Sequence, residues 1–139
     1  MAAHRNTAFR EQQMLEVAKK AILDSGDFLS LDQTAQRLVL PPVKLDGWET
    51  EGKIFSIQHG GCSLFPMYAF LADAGHGPVP GLKVILDVLR TKKGGWGIAF
   101  WFASPSSYLG GSRPQDVLVS DGDEVLLAAQ DEVAGITHG

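Results

Sequence analysis

The sequence has almost no material for covalent cross-links, because Cys62 is its single cysteine. An intrachain disulfide needs two cysteines, and cysteine-based structural zinc sites use at least two. The thiol follows Gly60 and Gly61 and has no histidine partner at a diagnostic spacing, so we expect a reduced thiol without a catalytic role. The cysteine count therefore excludes a disulfide scaffold and the common structural zinc folds.

Long apolar runs are also missing. The densest run covers residues 96–103 (WGIAFWFA), which is far short of the roughly 18 residues that a membrane-spanning helix needs. The first residues carry charge at His4, Arg5 and Arg10 and no apolar core of a signal peptide. We therefore expect a cytoplasmic protein without a membrane partner.

An excess of positive charge is absent as well. The chain has 12 lysines and arginines against 16 aspartates and glutamates, which gives a net charge of −4. Dedicated nucleic-acid binders are usually basic, because phosphate neutralisation supplies much of their affinity. This balance disfavours strong DNA binding by an isolated monomer, although it permits a locally basic surface.

Catalytic signatures are missing too. No HExxH motif, phosphate-binding glycine loop or nucleophile elbow occurs. Asp121 and Asp123 resemble part of a divalent-cation loop, but its remaining ligands are missing. The histidines are scattered over termini and loops, at His4, His59, His76 and His138. We expect a protein that is not an enzyme, with no catalytic residues, no metal and no cofactor.

What the sequence does have is ordinary globular composition, with 139 residues of which 45% are apolar. That length suits one compact domain or two very small ones, with enough surface to bury a core. The strongest boundary signal is the glycine- and proline-rich segment 73–81 (DAGHGPVPG). We divide the chain into an N-terminal unit (1–72), a linker (73–81) and a C-terminal domain (82–139).

The N-terminal unit has the pattern of three helices. After a frayed start at residues 1–8, a helix is expected from about Phe9 to Leu23, with Met14, Leu15, Ala18 and Ile22 near one face. Ser30 and Gln33 have capping-box spacing and open a second helix, whose apolar stripe is Leu31, Ala35 and Leu38. A third is expected from Pro42 to about Glu51, anchored by Val43, Leu45 and Trp48.

A β-hairpin is predicted next. Residues 54–57 and 63–65 have strand composition, and Gly60-Gly61 between them is a turn signal. A further short helix is expected over 66–72. Helix, turn, helix and hairpin together make a small winged helix. The predicted fold class is mainly α with a small β-hairpin.

The C-terminal domain is predicted to be helical. Helical spacing joins Leu82, Ile85, Leu86 and Leu89, and the apolar run 96–103 ends at Ser104-Pro105. Pro114 suits the first position of a short helix that ends near Val119. Asp121 can cap a last helix, with residues 135–139 as a tail; the core side of that helix is expected to hold Val125, Ala128 and Ala129.

The C-terminal pattern resembles a known family. Trp101-Phe102, Ser104-Pro105 and Tyr108-Leu109-Gly110-Gly111 are followed by Arg113-Pro114, Asp116 and Leu118. This combination resembles the signature of the toxin-binding domain of Xre/MbcA/ParS-type antitoxins, over residues 82–133. The resemblance implies a cognate toxin as partner, often a RES-domain NAD-degrading enzyme, which the antitoxin neutralises. Such antitoxins also commonly repress their own operon.

The N-terminal pattern resembles the DNA-binding units of MerR- or excisionase-type proteins. The residues that carry this resemblance are Leu29-Ser30-Leu31-Asp32, Ala35, Leu38, Val43, Trp48, Gly52-Lys53 and Phe55. It implies binding to operator DNA. However, residues 43–53 hold three acids against two lysines, which favours an interaction module without a DNA target.

Candidate site residues follow from these patterns. For phosphate contacts we select Lys44, Lys53, Gln58 and His59, because such contacts need charge and reach; ordinary surface is the alternative. For partner binding we select Trp101, Tyr108, Leu109, Arg113 and Asp116. Trp101 also suits a core position, and Asp116 also suits a pair with Arg113. A structural turn is expected at Gly110, Gly111 and Pro114.

The sequence thus predicts an antitoxin-like regulator that neutralises a toxin and autoregulates its operon through DNA. The alternatives are an orphan protein-interaction module and a stand-alone DNA-binding repressor without a toxin. A homodimer is expected in either regulatory case, because helix-turn-helix proteins usually read two half-sites. The aromatic-rich C-terminal half is the expected contact surface.

Overall fold

A computed structural model describes residues 2–71 and 77–138 of the chain, with the side chains of residues 7–71 and 77–136. The N-terminal half comprises α1 (Ala2–Asp24), β1 (Phe28–Ser30), α2 (Leu31–Leu38), α3 (Pro42–Thr50), β2 (Ile57–His59), β3 (Cys62–Pro66) and a 3-10 turn (Met67–Ala69). The C-terminal half comprises α4 (Leu82–Arg90), α5 (Gly95–Ala103), a 3-10 turn (Ser107–Leu109), α6 (Pro114–Val117) and α7 (Gly122–His138). The fold is mainly helical with a small sheet, which confirms the predicted class.

The sheet has three antiparallel strands in the order β1-β3-β2. Leu29 lies opposite Phe65, and Ile57 lies opposite Leu64. The hairpin β2–β3 was predicted, and both glycines of its turn have positive φ. The predicted start of its first strand is wrong, because residues 54–56 are not in a strand. Strand β1 was not predicted, since three residues gain strand structure only through a distant partner.

The two helices between β1 and β2 follow their sequence signals closely. The Ser30 hydroxyl accepts a hydrogen bond from the Gln33 N–H at 3.2 Å, and the Gln33 side chain accepts one from the Ser30 N–H at 3.1 Å. This is the predicted capping box. Residues 39–41 join α2 to α3, and Val39 there has a φ of 55°, which is rare for a β-branched residue.

Three expectations about the N-terminal helices are wrong. Helix α1 begins at Ala2 instead of Phe9, since no glycine or proline interrupts residues 2–24. Met14 and Leu15, expected on one apolar face with Ile22, are 71% and 42% exposed, while Ile22 is buried. Val43, expected as an anchor of α3, is 73% exposed, while Leu45 lies in the core. A helical pattern shows that apolar residues share a face, but not which face is covered.

One continuous core joins the two halves. Phe55 stacks on Phe102 with ring centroids 6.0 Å apart. The Arg90 guanidinium donates hydrogen bonds to the carbonyls of Gly52 and Ile54, at 3.0 and 2.9 Å. The start of α5 lies so close to the hairpin that a Cβ at Gly95 would overlap the Ser56 carbonyl.

Part of the predicted linker (73–81) packs against the core. Residues 73–76 of the linker lie outside the described residues. Beyond them, Val79 is buried, and its N–H donates to the Ala69 carbonyl at 2.8 Å. The predicted helix over 66–72 appears as the 3-10 turn Met67–Ala69. The segment 73–81 separates the sequence into halves without separating the core.

The C-terminal helices surround this core as their spacing predicted. The buried residues of α4 are Leu82, Ile85, Leu86 and Leu89. The Asp121 carboxylate accepts a hydrogen bond from the Glu124 N–H at 3.2 Å, as expected of a cap. Helix α7 continues to His138, so the prediction of a tail is wrong for residues 135–138. Helix α6 ends at Val117, two residues before its expected end.

Candidate functional site

The outer face of α3 is the first candidate surface. On its inner side, Leu45 enters the core and the Glu49 carboxylate accepts a hydrogen bond from the Ser56 hydroxyl. Helical spacing places the α3 outer face, defined as Val43, Asp46, Gly47 and Thr50, on the opposite side. A Cβ at Gly47 would meet no atom within 4 Å, so nothing inside the chain requires a glycine there. This face is small and carries one apolar side chain, one hydroxyl and one carboxylate.

The two lysines predicted to contact DNA are both engaged within the chain. The Lys44 ammonium lies 6.0 Å from the centroid of the Trp48 ring, at the edge of the outer face. The Lys53 ammonium lies 2.9 Å from the Glu51 carboxylate, and about half of each side chain is exposed. An exposed pair of this kind is weak, so the Lys53 ammonium can exchange that partner for another anion.

The hairpin carries the other two predicted residues. The Gln58 side-chain amide donates to the Ser63 hydroxyl at 2.8 Å, which holds it within the hairpin. His59 is exposed at the end of β2. The Trp96 indole N–H donates to the Gln58 carbonyl at 3.0 Å and so fixes the hairpin to α5. The structure thus distributes the four residues over α3, the α3–β2 connection and the hairpin.

Sequence reasoning missed two exposed residues beside this surface. Val39, in the α2–α3 turn, is 79% exposed, and Arg37 is exposed in the last turn of α2. Arg37 could have been selected as a candidate phosphate contact, because its side chain is basic. Nothing in the sequence indicated Val39, because its left-handed backbone conformation is not visible before folding. With Arg37 included, residues 31–59 hold three basic residues against four carboxylates.

A second candidate surface is the α5–α7 groove, an open depression of about 410 Å³. Its lining includes Phe100 and Trp101 from α5, the loop from Ser104 to Tyr108, and Asp131 and Glu132 from α7. Trp101 is 8% exposed, whereas Tyr108 is 45% exposed. The Lys93 ammonium lies 3.1 Å from the Glu132 carboxylate at this groove. The groove combines an aromatic floor with a charged rim.

Two of the five predicted partner-binding residues, Trp101 and Tyr108, line this groove. Leu109 is half-buried and packs against the core. Arg113 and Asp116 form a two-point hydrogen-bonded pair at 2.8 and 3.0 Å, and that hydrogen bonding raises the pKa of the Arg113 guanidinium. Neither of the two lines the groove, and their pairing stabilises the start of α6.

The turn before α6 has the geometry that its residue types favour. Gly110 and Gly111 have φ values of 67° and 91°, where a side chain would be strained. Pro114 is buried at the first position of α6. These residues shape the chain between the groove and α6.

A polar junction lies where the two halves meet. The Gln115 amide donates to the Asp27 carboxylate at 3.2 Å. The Tyr68 hydroxyl is buried and finds no hydrogen-bond partner among the described residues. Burial, and secondarily the negative charge of Asp27, raises the pKa of Tyr68 well above its ordinary value.

Within residues 2–71 and 77–138, no group of three or more His, Cys, Asp or Glu side chains has the arrangement of a metal site. Cys62 is exposed at the hairpin. No helix in the described part of the chain is long and apolar enough to cross a membrane.

Comparison with known proteins identifies a shared fold. The structure is similar to the NMR structure of Rv2175c, with a TM-score of 0.63 and 24% sequence identity. The similarity covers 76% of this chain and 80% of Rv2175c. No protein-family model and no curated protein matches the sequence.

Proposed function

We propose that this protein is a DNA-binding transcription regulator of the winged-helix type. The observation that carries the proposal is the pairing of β1 with β3, which joins the start of α2 to the hairpin, while α2 packs against α3. The α3 outer face is open in this arrangement. In helix-turn-helix proteins the second helix enters the major groove of DNA, and α3 occupies that position in this chain.

The chemistry of the α3 outer face suits contact with base edges more than contact with phosphates. Val43 is an exposed apolar side chain of the kind that contacts the methyl group of thymine. Gly47 lets the helix backbone approach a ligand closely. The Thr50 hydroxyl can donate to a base edge or accept from it. Val43 therefore favours a thymine in the site, while the Asp46 carboxylate of the same face can accept a hydrogen bond from the amino group of cytosine.

Few positive charges are available to bind the phosphates. Arg37, Lys44 and Lys53 are the basic residues of segment 31–59, with His59 at the hairpin end. Each phosphate contact contributes about −0.9 to the slope of log affinity against log salt concentration. Three contacts per subunit predict a slope of about −3, which is shallow for a DNA-binding protein.

The test is selection of duplexes from a random pool, followed by fluorescence anisotropy with the selected sequence at several salt concentrations. We expect Lys44→Ala to weaken binding to all duplexes and to reduce the salt slope by about 1. Lys92→Ala is the matched control, because Lys92 is an exposed lysine of the α4–α5 loop and belongs neither to α3 nor to the hairpin. Failure to enrich any duplex would contradict the proposal.

A second candidate function is toxin neutralisation by the C-terminal half, in the manner of an antitoxin. The α5–α7 groove favours it, because an aromatic floor with an exposed tyrosine at its edge is typical of protein-binding hot spots. The partner class suggested by the sequence is a RES-domain toxin. A regulator with both surfaces would act in the cytoplasm and repress its operon while it holds the toxin.

Co-expression with the product of the adjacent gene, followed by pull-down, tests the second function. Tyr108→Ala should weaken a complex that uses the groove by at least about tenfold, because truncation of a hot-spot tyrosine costs that much. Val119→Ala is a matched control, since Val119 is an exposed apolar residue of the same half that does not line the groove. An equal effect of both substitutions would exclude the groove.

A further inference from the structure

Helix α1 is far longer than its contact with the rest of the protein requires. All described side chains from residue 7 to residue 17 are exposed. The C-terminal third makes the contact with α5: Ile22 is in the core, and the Lys19 ammonium lies 5.2 Å from the centroid of the Trp96 ring. About 16 Å of helix therefore extends into solvent, and an isolated helix of that length is only marginally stable in water.

The exposed part of α1 has an apolar side of its own. Spacings of three and four residues align the α1 stripe, defined as Met14, Val17, Ala18 and Ala21. Met14 and Val17 are each about 70% exposed. Lys19, which stacks on Trp96, lies on the other side of the helix, so the stripe points away from the body of the protein.

We propose that the α1 stripe binds the α1 stripe of a second copy, with the two helices antiparallel. A cation, Arg10, lies at the N-terminal end of the stripe. Beyond its C-terminal end, the Asp24 carboxylate accepts a hydrogen bond from the Lys20 ammonium of the same helix at 2.8 Å, an exposed pair that is weak and can admit a second cation. Antiparallel pairing brings each Arg10 near the Asp24 of the other copy, whereas parallel pairing brings the two Arg10 guanidinium groups together. Ala18 and Ala21 are small enough to let the two backbones approach closely.

A twofold contact of this kind uses the same patch on both copies, which is the commonest symmetry of protein dimers. The C-terminal aromatic residues, which the sequence suggested for this role, are less available, because Trp101 and Phe102 are buried. The stripe itself is roughly 10 Å long, and the contact from Arg10 to Asp24 is roughly 20 Å long and 10 Å wide. This area is smaller than the roughly 800 Å² per partner of a standard interface. We expect a reversible dimer with a dissociation constant of roughly tens of micromolar.

Sedimentation equilibrium of the full chain between 1 and 200 μM, in the absence of DNA, tests the dimer. The double variant Met14→Arg/Val17→Arg should raise the dissociation constant at least about tenfold. The matched control is Ala8→Arg/Gln12→Arg, which adds the same charge at exposed positions on the other side of α1 and should leave dimerisation within about twofold. Circular dichroism of both variants verifies that the fold is retained.

Disulfide trapping in a Cys62→Ser background tests the orientation. A mixture of Arg10→Cys and Asp24→Cys proteins should form mainly the mixed dimer if the helices are antiparallel. If the two helices are parallel, each cysteine variant should cross-link mainly to another copy of the same variant. That result would overturn the proposed orientation. A monomer at 200 μM, or a dimer equally affected by both double variants, would overturn the proposed interface. None of these outcomes depends on DNA binding, so the two proposals fail independently.

Discussion

Helices α4 and α1 show two different uses of apolar residues. Helix α4 has nine residues, of which Leu82, Ile85, Leu86 and Leu89 are buried in the core. Helix α1 has 23 residues, and Ile22 is the single described residue of α1 that is buried there. Folding explains these four residues of α4, although Val84 of the same helix is exposed. Burial in the core does not explain Met14 and Val17 of the α1 stripe, for which we propose association.

The same contrast separates the two sides of α3. Leu45, on the inner side, holds the helix to the core, while Val43, on the outer side, is 73% exposed and contributes little buried surface. Apolar residues that are buried in the core should contribute to the stability of the fold and little to binding. Residues of the α3 outer face and the α1 stripe should show the reverse. The predictions below test this division, in order of decreasing expected effect.

Leu86→Ala and Met14→Ala compare the two kinds of helix directly. Leu86 is fully buried, so its truncation should lower the free energy of unfolding by about 3 to 4 kcal/mol through lost burial and a cavity. Met14→Ala on exposed α1 should change it by less than about 0.5 kcal/mol. Urea denaturation measures both. Similar losses for the two variants would contradict the division.

Gly95→Ala tests how tightly the two halves are joined. The added methyl group would overlap the Ser56 backbone carbonyl, which cannot move away as a flexible side chain could. We expect a loss of about 2 to 3 kcal/mol in the free energy of unfolding. The control is Gly94→Ala, since a Cβ at Gly94 meets nothing within 4 Å and its φ of −89° suits alanine. Equal stability of both variants would show that the halves can separate.

Tyr68→Phe should increase stability, since it removes a buried hydroxyl that has no partner among the described residues. The expected gain is about 1 kcal/mol at neutral pH. Because burial raises the pKa of Tyr68 in the folded state, the unfolded chain releases its proton first as pH rises. The wild type should therefore lose stability above about pH 10 by up to about 1.4 kcal/mol per pH unit, and the variant should lack this component. A gap that does not widen above pH 10 would contradict the burial of this hydroxyl.

Gly47→Ala has a small expected effect on stability and distinguishes a role in folding from a role in binding. Alanine favours a helix more than glycine does, and a Cβ at this position meets open space, so stability should rise by about 0.5 to 1 kcal/mol. If DNA approaches the α3 backbone closely, the same methyl group should weaken binding to the selected duplex several-fold. A variant that is more stable and binds equally well would show that the DNA does not pass over Gly47.

Local signals predicted much of this fold. The capping box of Ser30 and Gln33 and the spacing of Leu82, Ile85, Leu86 and Leu89 depend on neighbours within one helix, and both are present in the structure. Features that depend on distant partners were missed. Strand β1 exists because residues 28–30 pair with residues 64–66, and the sequence of β1 alone is too short to indicate a strand.

The candidate sites were predictable only in part. Residue type identified Lys44 and Tyr108 as exposed side chains capable of binding, and both are exposed. It could not show that Gln58 is held by Ser63 or that Arg113 pairs with Asp116 outside the groove. Nor could it show which apolar residues of α1 and α3 stay uncovered, because coverage is set by the whole fold.

The most direct test of the central claim is titration of the ¹⁵N-labelled protein with the selected duplex, followed by amide chemical shifts. The account predicts that the largest shifts map to α3, the 39–41 turn and the β2–β3 hairpin, with the amides of the α5–α7 groove unchanged. Shifts confined to the groove, or spread evenly over the surface, would contradict DNA recognition by the α3 outer face.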